Sequence, residues 1–116
     1  MELSEEHRLI KEAVRRFTQN EITPLAEEID RKDYFPPDFF KKCGELGFLG
    51  PTVSEEYGGL GSDPLTHVLI AEELAQGSGG LALSYIAHSN LCTHNLYKNG
   101  TDIIRKKYVP DLCSGE

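Results

Sequence analysis

Apolar residues recur at intervals of three and four along most of the chain, the spacing that places them on one face of an α-helix. The first such run predicts a helix that Ser4 caps and that continues to about Gln19. Glu5 and Glu6 follow the cap, where their charges complement the positive end of the helix dipole. The apolar face of this helix consists of Leu9, Ile10, Ala13, Val14 and Phe17.

Capping residues and first-turn prolines mark four more helix starts. They are Thr23-Pro24, Pro36-Pro37-Asp38, Asp63-Pro64 and Thr101-Asp102. A break is predicted over 76–80, and beyond it one long helix is expected from about Leu81 to Lys98, ending at Asn99-Gly100. Pro110 is expected to bend or end the last helix, because proline has no backbone N–H to donate.

The segment from Phe48 to Ser62 interrupts the helical pattern with a proline and several glycines. Neither of the glycine motifs that cradle phosphate occurs there, so the glycines are expected to permit a tight loop with positive φ. No run alternates apolar and polar residues as a strand would. The sequence therefore predicts an all-α bundle of about six helices with one Gly-rich, non-helical crossing.

The charge balance excludes one class of partner. The 116 residues suit a single domain, and 19 acidic against 12 basic residues give a net charge of -7, which argues against binding nucleic acid. No apolar stretch approaches the roughly 20 residues that cross a bilayer, and no secretory signal is visible. Three cysteines without a paired spacing suit buried thiols in a reducing compartment, either a bacterial or archaeal cytoplasm or the mitochondrial matrix.

Three groupings of reactive residues are poor candidates for a chemical site. His88 and Cys92 share a helix face, but His94 is rotated by about 200° from Cys92, which disfavours a metal site. Glu72 and Glu73 are adjacent, hence about 100° apart, and do not converge for acid–base chemistry. A Cys-His or Ser-His nucleophile is not supported either, because these residues lie in helical sequence and no elbow of the G-x-S-x-G kind occurs. The residues alone predict neither a catalytic group nor a metal ligand.

Several segments in order resemble the acyl-CoA dehydrogenase family, and together they extend over the whole chain. They are Leu46–Gly50, Glu55–Gly61, Ile70–Ala75, Asn99–Thr101, Lys106–Pro110 and Leu112–Glu116. The resemblance implies that residues 1–116 form the helical N-terminal domain of that family. The β-sheet middle domain and the C-terminal helical domain of the family are absent from this sequence.

The resemblance also implies an activity. Members of the family remove two hydrogens from the α and β carbons of an acyl-CoA, and the run Leu83–Cys92 is similar to members that act on short or branched acyl groups. FAD as cofactor, an electron-transferring flavoprotein as partner and a homotetramer are implied with it. The catalytic glutamate and most flavin contacts belong to the other two domains. This chain alone is therefore expected to contain no catalytic or cofactor-binding residue, to bind no FAD and to be inactive.

One wall of the acyl pocket is what the resemblance assigns to this chain. The long helix of the family's N-terminal domain flanks the acyl group, and the matching positions here are Leu83, Ser84, Ala87, His88 and Leu91. Positions 84, 87, 88 and 91 also fall on one helix face by spacing alone. Such a face suits packing in the domain core equally well, and the sequence leaves both interpretations open.

Two other functions are also open. The chain suits a non-catalytic helical module that associates with other chains. It also suits a fragment of a related flavoprotein, such as an acyl-CoA oxidase or a nitroalkane-oxidising enzyme. The residues that distinguish these would lie beyond Glu116.

Overall fold

A computed structural model describes residues 3–32 and 34–115 and confirms the all-α prediction. No strand occurs within those two ranges, and none of their helices is long and apolar enough to cross a membrane. The α-helices are α1 (Glu5–Phe17), α2 (Ala26–Lys32), α3 (Phe39–Glu45), α4 (Pro64–Gly77), α5 (Gly79–Ile86), α6 (Asn95–Asn99) and α7 (Asp102–Ser114).

Wider and tighter turns join several of these helices end to end. A π-helical turn over Thr18–Ile22 and a 3₁₀ turn over Thr23–Leu25 carry α1 into α2. A second π-helical turn, Ala87–His94, carries α5 into α6. The described residues therefore form five rods rather than the six helices that were expected. Thr23 opens the 3₁₀ turn instead of capping a new helix, because the chain is already helical when it reaches Pro24.

Local capping was well predicted at three helix starts. The side chains of Ser4, Asp63 and Thr101 each accept a hydrogen bond from the backbone N–H three residues further on. At α1 the arrangement is reciprocal, because the ring of His7 accepts a bond from the Ser4 N–H in return. These caps satisfy N–H groups that a helix start leaves without partners.

The predicted break over 76–80 is wrong in its extent. Helix α4 continues to Gly77 and α5 begins at Gly79, so that only Ser78 lies between them. Its backbone is extended (φ -157°, ψ 117°), and its hydroxyl accepts from the Leu81 N–H at 3.2 Å. One residue with a capping side chain is enough to turn the chain. The long helix predicted from about Leu81 therefore starts two residues earlier, at Gly79.

Pro110 does not end the last helix, which runs on to Ser114 and stops before Gly115 at a φ of 86°. A proline inside a helix leaves the carbonyl four residues earlier without its usual N–H donor. That carbonyl belongs to Lys106, which is exposed. Water can therefore replace the missing donor, and the helix tolerates the proline.

Helix α4 is the centre of the bundle, with α1 on one side and α5 on the other. Most of the buried side chains form one core from α1, α3, α4 and α5, and a smaller cluster joins Val53 to Val109 and Cys113 of α7. Tyr85 is fully buried in the main core, and its hydroxyl donates to the Phe48 carbonyl at 2.7 Å. This bond anchors the start of the Gly-rich crossing to the long rod.

The crossing is a tight loop, as its glycines predicted. The Gly50 carbonyl accepts hydrogen bonds from the N–H groups of Val53 and Leu60. The bond from Leu60 brings the two ends of the loop together. Gly58 and Gly61 have φ values of 91° and 62°, and a Cβ on Gly59 would collide with the Val53 carbonyl. Only glycine suits these positions without strain.

Candidate functional site

An exposed apolar stripe runs along the long rod formed by α5 and the π-helical turn. Leu83 and Leu91 are 68% and 66% exposed, and Ala87 between them is exposed as well. These three residues, spaced four apart, are called the wall stripe below. Residues this apolar are costly to leave in water, so the stripe is a surface suited to an apolar occupant.

Helix α4 continues the apolar surface beside the wall stripe. A groove between α4 and α5 is lined by His67, Val68, Ala71, Glu72, Ala75, Gly79, Ala82, Leu83 and Ile86. Val68, one of these lining residues, is 54% exposed. Mostly apolar walls with one or two polar groups are typical of sites for small organic ligands. The sequence prediction found only Leu83 of this groove. Alanine carries too weak a hydrophobic signal to reveal that Ala71 and Ala75 face a cleft.

His88 and Ser84 differ from the three stripe residues. The Nε2 atom of His88 lies 2.8 Å from the Leu112 carbonyl of α7, and its ring lies against Phe40 of α3, with centroids 5.0 Å apart. His88 is therefore half-buried between two helices, and Ser84 is half-buried too. The structure brings Leu83, Ala87 and Leu91 together on the outside. It places Ser84 and His88 at the inner edge of the same face.

One imidazole lies at the edge of the groove. His67 stacks on the Tyr85 ring with centroids 5.4 Å apart and an interplanar angle of 20°. Burial lowers the pKa of His67 below its usual value, and the nearby His94 lowers it further. A neutral ring therefore borders the groove at neutral pH, which keeps this edge free of positive charge.

The other reactive side chains point toward different partners. His94 bonds the Thr52 hydroxyl at 2.7 Å, while Cys92 is exposed and His88 faces α7. Within the described ranges no cluster of three metal-binding side chains occurs. Glu73 is buried and Glu72 exposed, which confirms that the two carboxylates diverge.

The three thiols are free, and two of them are buried as expected. Burial raises the pKa of the Cys43 thiol to about 12 and that of Cys113 to about 11, so both stay protonated and unreactive. The expectation of a buried thiol is wrong for Cys92, which is exposed. It lies on the outer side of the π-helical turn, next to Leu91.

Comparison with known proteins identifies one family. Residues 4–116 match the family model described as acyl-CoA dehydrogenase, N-terminal domain. The mitochondrial isovaleryl-CoA dehydrogenase of Pongo abelii is 47% identical over 116 residues, which cover 98% of this chain and 27% of that protein. The chain thus spans about a quarter of the length of this relative. The resemblance drawn from the sequence is confirmed, because the family model matches nearly the whole chain and an isovaleryl-CoA dehydrogenase is among its relatives.

Solved structures share the fold. The structure of the electron transferring flavoprotein of Acidaminococcus fermentans matches with a TM-score of 0.94 and 32% identity, covering 99% of this chain and 30% of that chain. An acyl-CoA dehydrogenase of Bacillus anthracis complexed with FAD matches with a TM-score of 0.84 and 35% identity, covering 98% of this chain and 19% of that one.

Proposed function

Because this chain belongs to the acyl-CoA dehydrogenase family through its N-terminal domain, we propose that it forms one wall of the acyl pocket in an FAD-dependent dehydrogenase of short or branched acyl-CoA. The observation that carries the proposal is the wall stripe of Leu83, Ala87 and Leu91, which is apolar and exposed although it belongs to a well-packed helix. A stripe of this kind has no role inside the chain's own core.

The chemistry of the stripe suits an acyl group. Covering an exposed leucine side chain is worth about 1.5–3 kcal/mol, so the two leucines supply binding energy without any specific polar contact. Ala87 lies between them and leaves room above the helix. A short acyl group with a branch fits a wall that is recessed at its centre and raised on both sides. A long straight chain would fill that recess less well.

We propose FAD and the partners on the basis of the family, and not on the basis of a binding site in the groove. A pyrophosphate needs converging N–H groups or cations. The polar side chains in the groove are His67, which is neutral, and Glu72, which carries the wrong charge. The groove therefore fits an acyl chain and not a dinucleotide. When bound elsewhere in the whole protein, FAD supplies the acceptor for the hydride of the β carbon.

We extend the proposal to the surroundings of the whole protein. Its flavin passes electrons to an electron-transferring flavoprotein, its chains assemble as a homo-oligomer, and it works in the mitochondrial matrix or in a prokaryotic cytoplasm. The mitochondrial relative and the solved structures support this setting. The role belongs to branched-chain amino acid catabolism.

Replacing Ala87 by Phe in the complete protein tests the wall. The ring fills the recess between Leu83 and Leu91 and should penalise the branched substrate first. One methylene in an apolar pocket is worth about 1–3 kcal/mol, so the ratio of kcat/KM for isovaleryl-CoA over butyryl-CoA should fall roughly 10- to 200-fold. Steady-state kinetics with the two substrates measures this ratio.

Ala26→Phe is the matched control, because Ala26 is a half-buried alanine at the start of α2, outside the groove. It should leave the substrate ratio unchanged. If Ala87→Phe lowers the melting temperature but keeps the wild-type ratio, residue 87 packs against another part of the protein and the wall assignment is wrong.

A further inference from the structure

We propose that Thr93 is a positioning residue for acyl-chain specificity, because it holds the π-helical turn that aligns Ala87 and Leu91 with Leu83. The inference rests on the proposed acyl wall and deepens it. It concerns a buried residue that faces away from the wall. Thr93 has no exposed surface, so any influence on substrate must act through the backbone.

The alignment of the wall stripe needs an explanation, because an α-helix would not produce it. At 3.6 residues per turn, four residues advance about 40° beyond a full turn, and eight advance about 80°. In an α-helix Leu83 and Leu91 would therefore point in clearly different directions. The structure leaves both about two-thirds exposed, at 68% and 66%.

The π-helical turn removes most of this drift. In a π-helix the N–H bonds the carbonyl five residues earlier instead of four, so each turn holds more than four residues and a spacing of four falls short of a full turn. The shortfall from Ala87 to Leu91 offsets the overshoot from Leu83 to Ala87. The turn spans Ala87–His94 and contains two members of the stripe. The buried side shows the same register, since Tyr85, Ser89 and Thr93 are all at most 2% exposed.

One side-chain bond spans the turn with the same five-residue reach. The Thr93 hydroxyl donates to the His88 carbonyl at 2.8 Å. The ring of the same His88 is fixed by its contact with the Leu112 carbonyl of α7 at 2.8 Å. His88 is thus held at its backbone by Thr93 and at its side chain by α7. The turn from His88 to Thr93 cannot tighten to an α-helix without losing the bond from Thr93.

This geometry connects Thr93 to the substrate. If the turn tightens, Leu91 rotates away from the line through Leu83, and the recess above Ala87 changes shape. A branched acyl group senses that change more than a straight one, because its second methyl occupies the recess. Thr93 should therefore influence which acyl group is preferred without contacting it.

Thr93→Val in the complete protein tests the inference, because valine keeps the shape of threonine and removes the hydroxyl. We expect the isovaleryl-to-butyryl ratio of kcat/KM to change about 10-fold, the lower end of what one methylene contributes in an apolar pocket. The change should come mainly from KM. Thr93→Ser keeps the hydroxyl donor and should therefore keep the wild-type isovaleryl-to-butyryl ratio of kcat/KM. A crystal structure of the valine variant should show the turn rewound with bonds to the fourth residue back.

Thr66→Val is the matched control, because Thr66 is equally buried and its hydroxyl also makes hydrogen bonds, to Ser62 and Asp63. Both variants remove a hydrogen-bonded buried hydroxyl and should lower stability, but Thr66→Val should keep the wild-type ratio. A wild-type ratio in Thr93→Val overturns the inference. If Ala87→Phe still changes the ratio in that case, the acyl wall stands and only the role of Thr93 fails. If neither variant changes it, both proposals fail.

Discussion

At the scale of single residues, Glu73 illustrates how this chain buries a charge. The carboxylate is almost fully enclosed between α4 and α1, where Arg15 donates to both of its oxygens at 3.1 and 3.3 Å. Lys11 lies 3.8 Å away on the same side. A buried carboxylate needs partners of this kind, since an unpaired one costs several kcal/mol. Glu73 therefore joins two helices and is not available for acid–base chemistry.

His67 gives a prediction for the pH dependence of stability. Its pKa in the folded protein is lowered, chiefly by burial, so the unfolded chain binds the proton more readily. The neutral ring contributes stability above the unfolded pKa of about 6.5, and this contribution is lost as pH falls below that value. His67→Phe keeps the stack on Tyr85 and removes the titration. Its free energy of unfolding should fall less than that of the wild type between about pH 7.5 and about pH 5.5.

Urea unfolding at a series of pH values measures this difference. Asp63 does not confuse the result. Its pKa is lowered, first by the Thr66 N–H and then by His7, and its contribution is lost only below its unfolded pKa of about 3.9. Identical slopes for the variant and the wild type through this pH range would show that His67 is not the residue whose protonation opposes folding.

The sequence could predict residues only as far as helix spacing applies. Helix spacing placed Ala87 and Leu91 on one face and separated Glu72 from Glu73. Whether the face of Ala87 and Leu91 is exposed or buried could not be predicted from spacing. The half-buried position of His88 does not follow, because it depends on Phe40 and Leu112, which approach from distant parts of the chain. Spacing along one helix carries no information about which other helix covers it.

At the scale of elements, α3 and α7 meet at a close approach that only glycine allows. A Cβ on Gly44 would collide with the Ser114 carbonyl, and one on Gly115 would lie 2.5 Å from the Phe40 carbonyl. The two helices therefore cross backbone to backbone. Gly115 also has a φ of 86°. The same glycine therefore ends α7 and permits the close contact with α3.

Gly44→Ala should destabilise the protein for this reason. The obstacle is a backbone carbonyl, which cannot rotate aside as a side chain can, so the loss should reach or exceed the roughly 1–3 kcal/mol typical of overpacking. Gly79→Ala is the control, because a Cβ there meets nothing within 4 Å. That variant should gain about 0.4–1 kcal/mol through the reduced freedom of its unfolded chain. Urea unfolding gives both values, and wild-type stability for Gly44→Ala would mean that α3 can move away from α7.

Elements were predictable where their signals are local. The caps at Ser4, Asp63 and Thr101 and the glycines of the crossing act on their own neighbours, and the sequence located each of them. The two π-helical turns were not predicted. The second turn depends on His88, which bonds Thr93 through its carbonyl and contacts the Leu112 carbonyl of α7 through its ring. The first turn merges the two helices predicted on either side of it into one rod.

At the scale of the whole molecule, the groove and the wall stripe leave apolar surface exposed on neighbouring elements. Val68, Leu83 and Leu91 are all more than half exposed and lie on α4, α5 and the π-helical turn between α5 and α6. Monomeric proteins rarely leave large continuous apolar patches uncovered. The chain spans about a quarter of the length of its relative from Pongo abelii. Under the proposed function, other segments of the complete protein cover this surface.

The 116-residue chain by itself should therefore self-associate. Burying the wall stripe and Val68 against a second copy removes apolar surface from water at about 25 cal/mol per Å², without any need for a specific fit. Sedimentation velocity over a concentration series should show the average mass rising with concentration. Leu83→Asp should return the chain toward the monomer, because it places a charge in the wall stripe.

Ile103→Asp is the control, since Ile103 is 79% exposed but lies on α7, away from the groove. A chain that stays monomeric throughout, or that responds equally to both substitutions, would mean that this face needs no cover, and the proposal that it evolved to line a pocket would lose its main support.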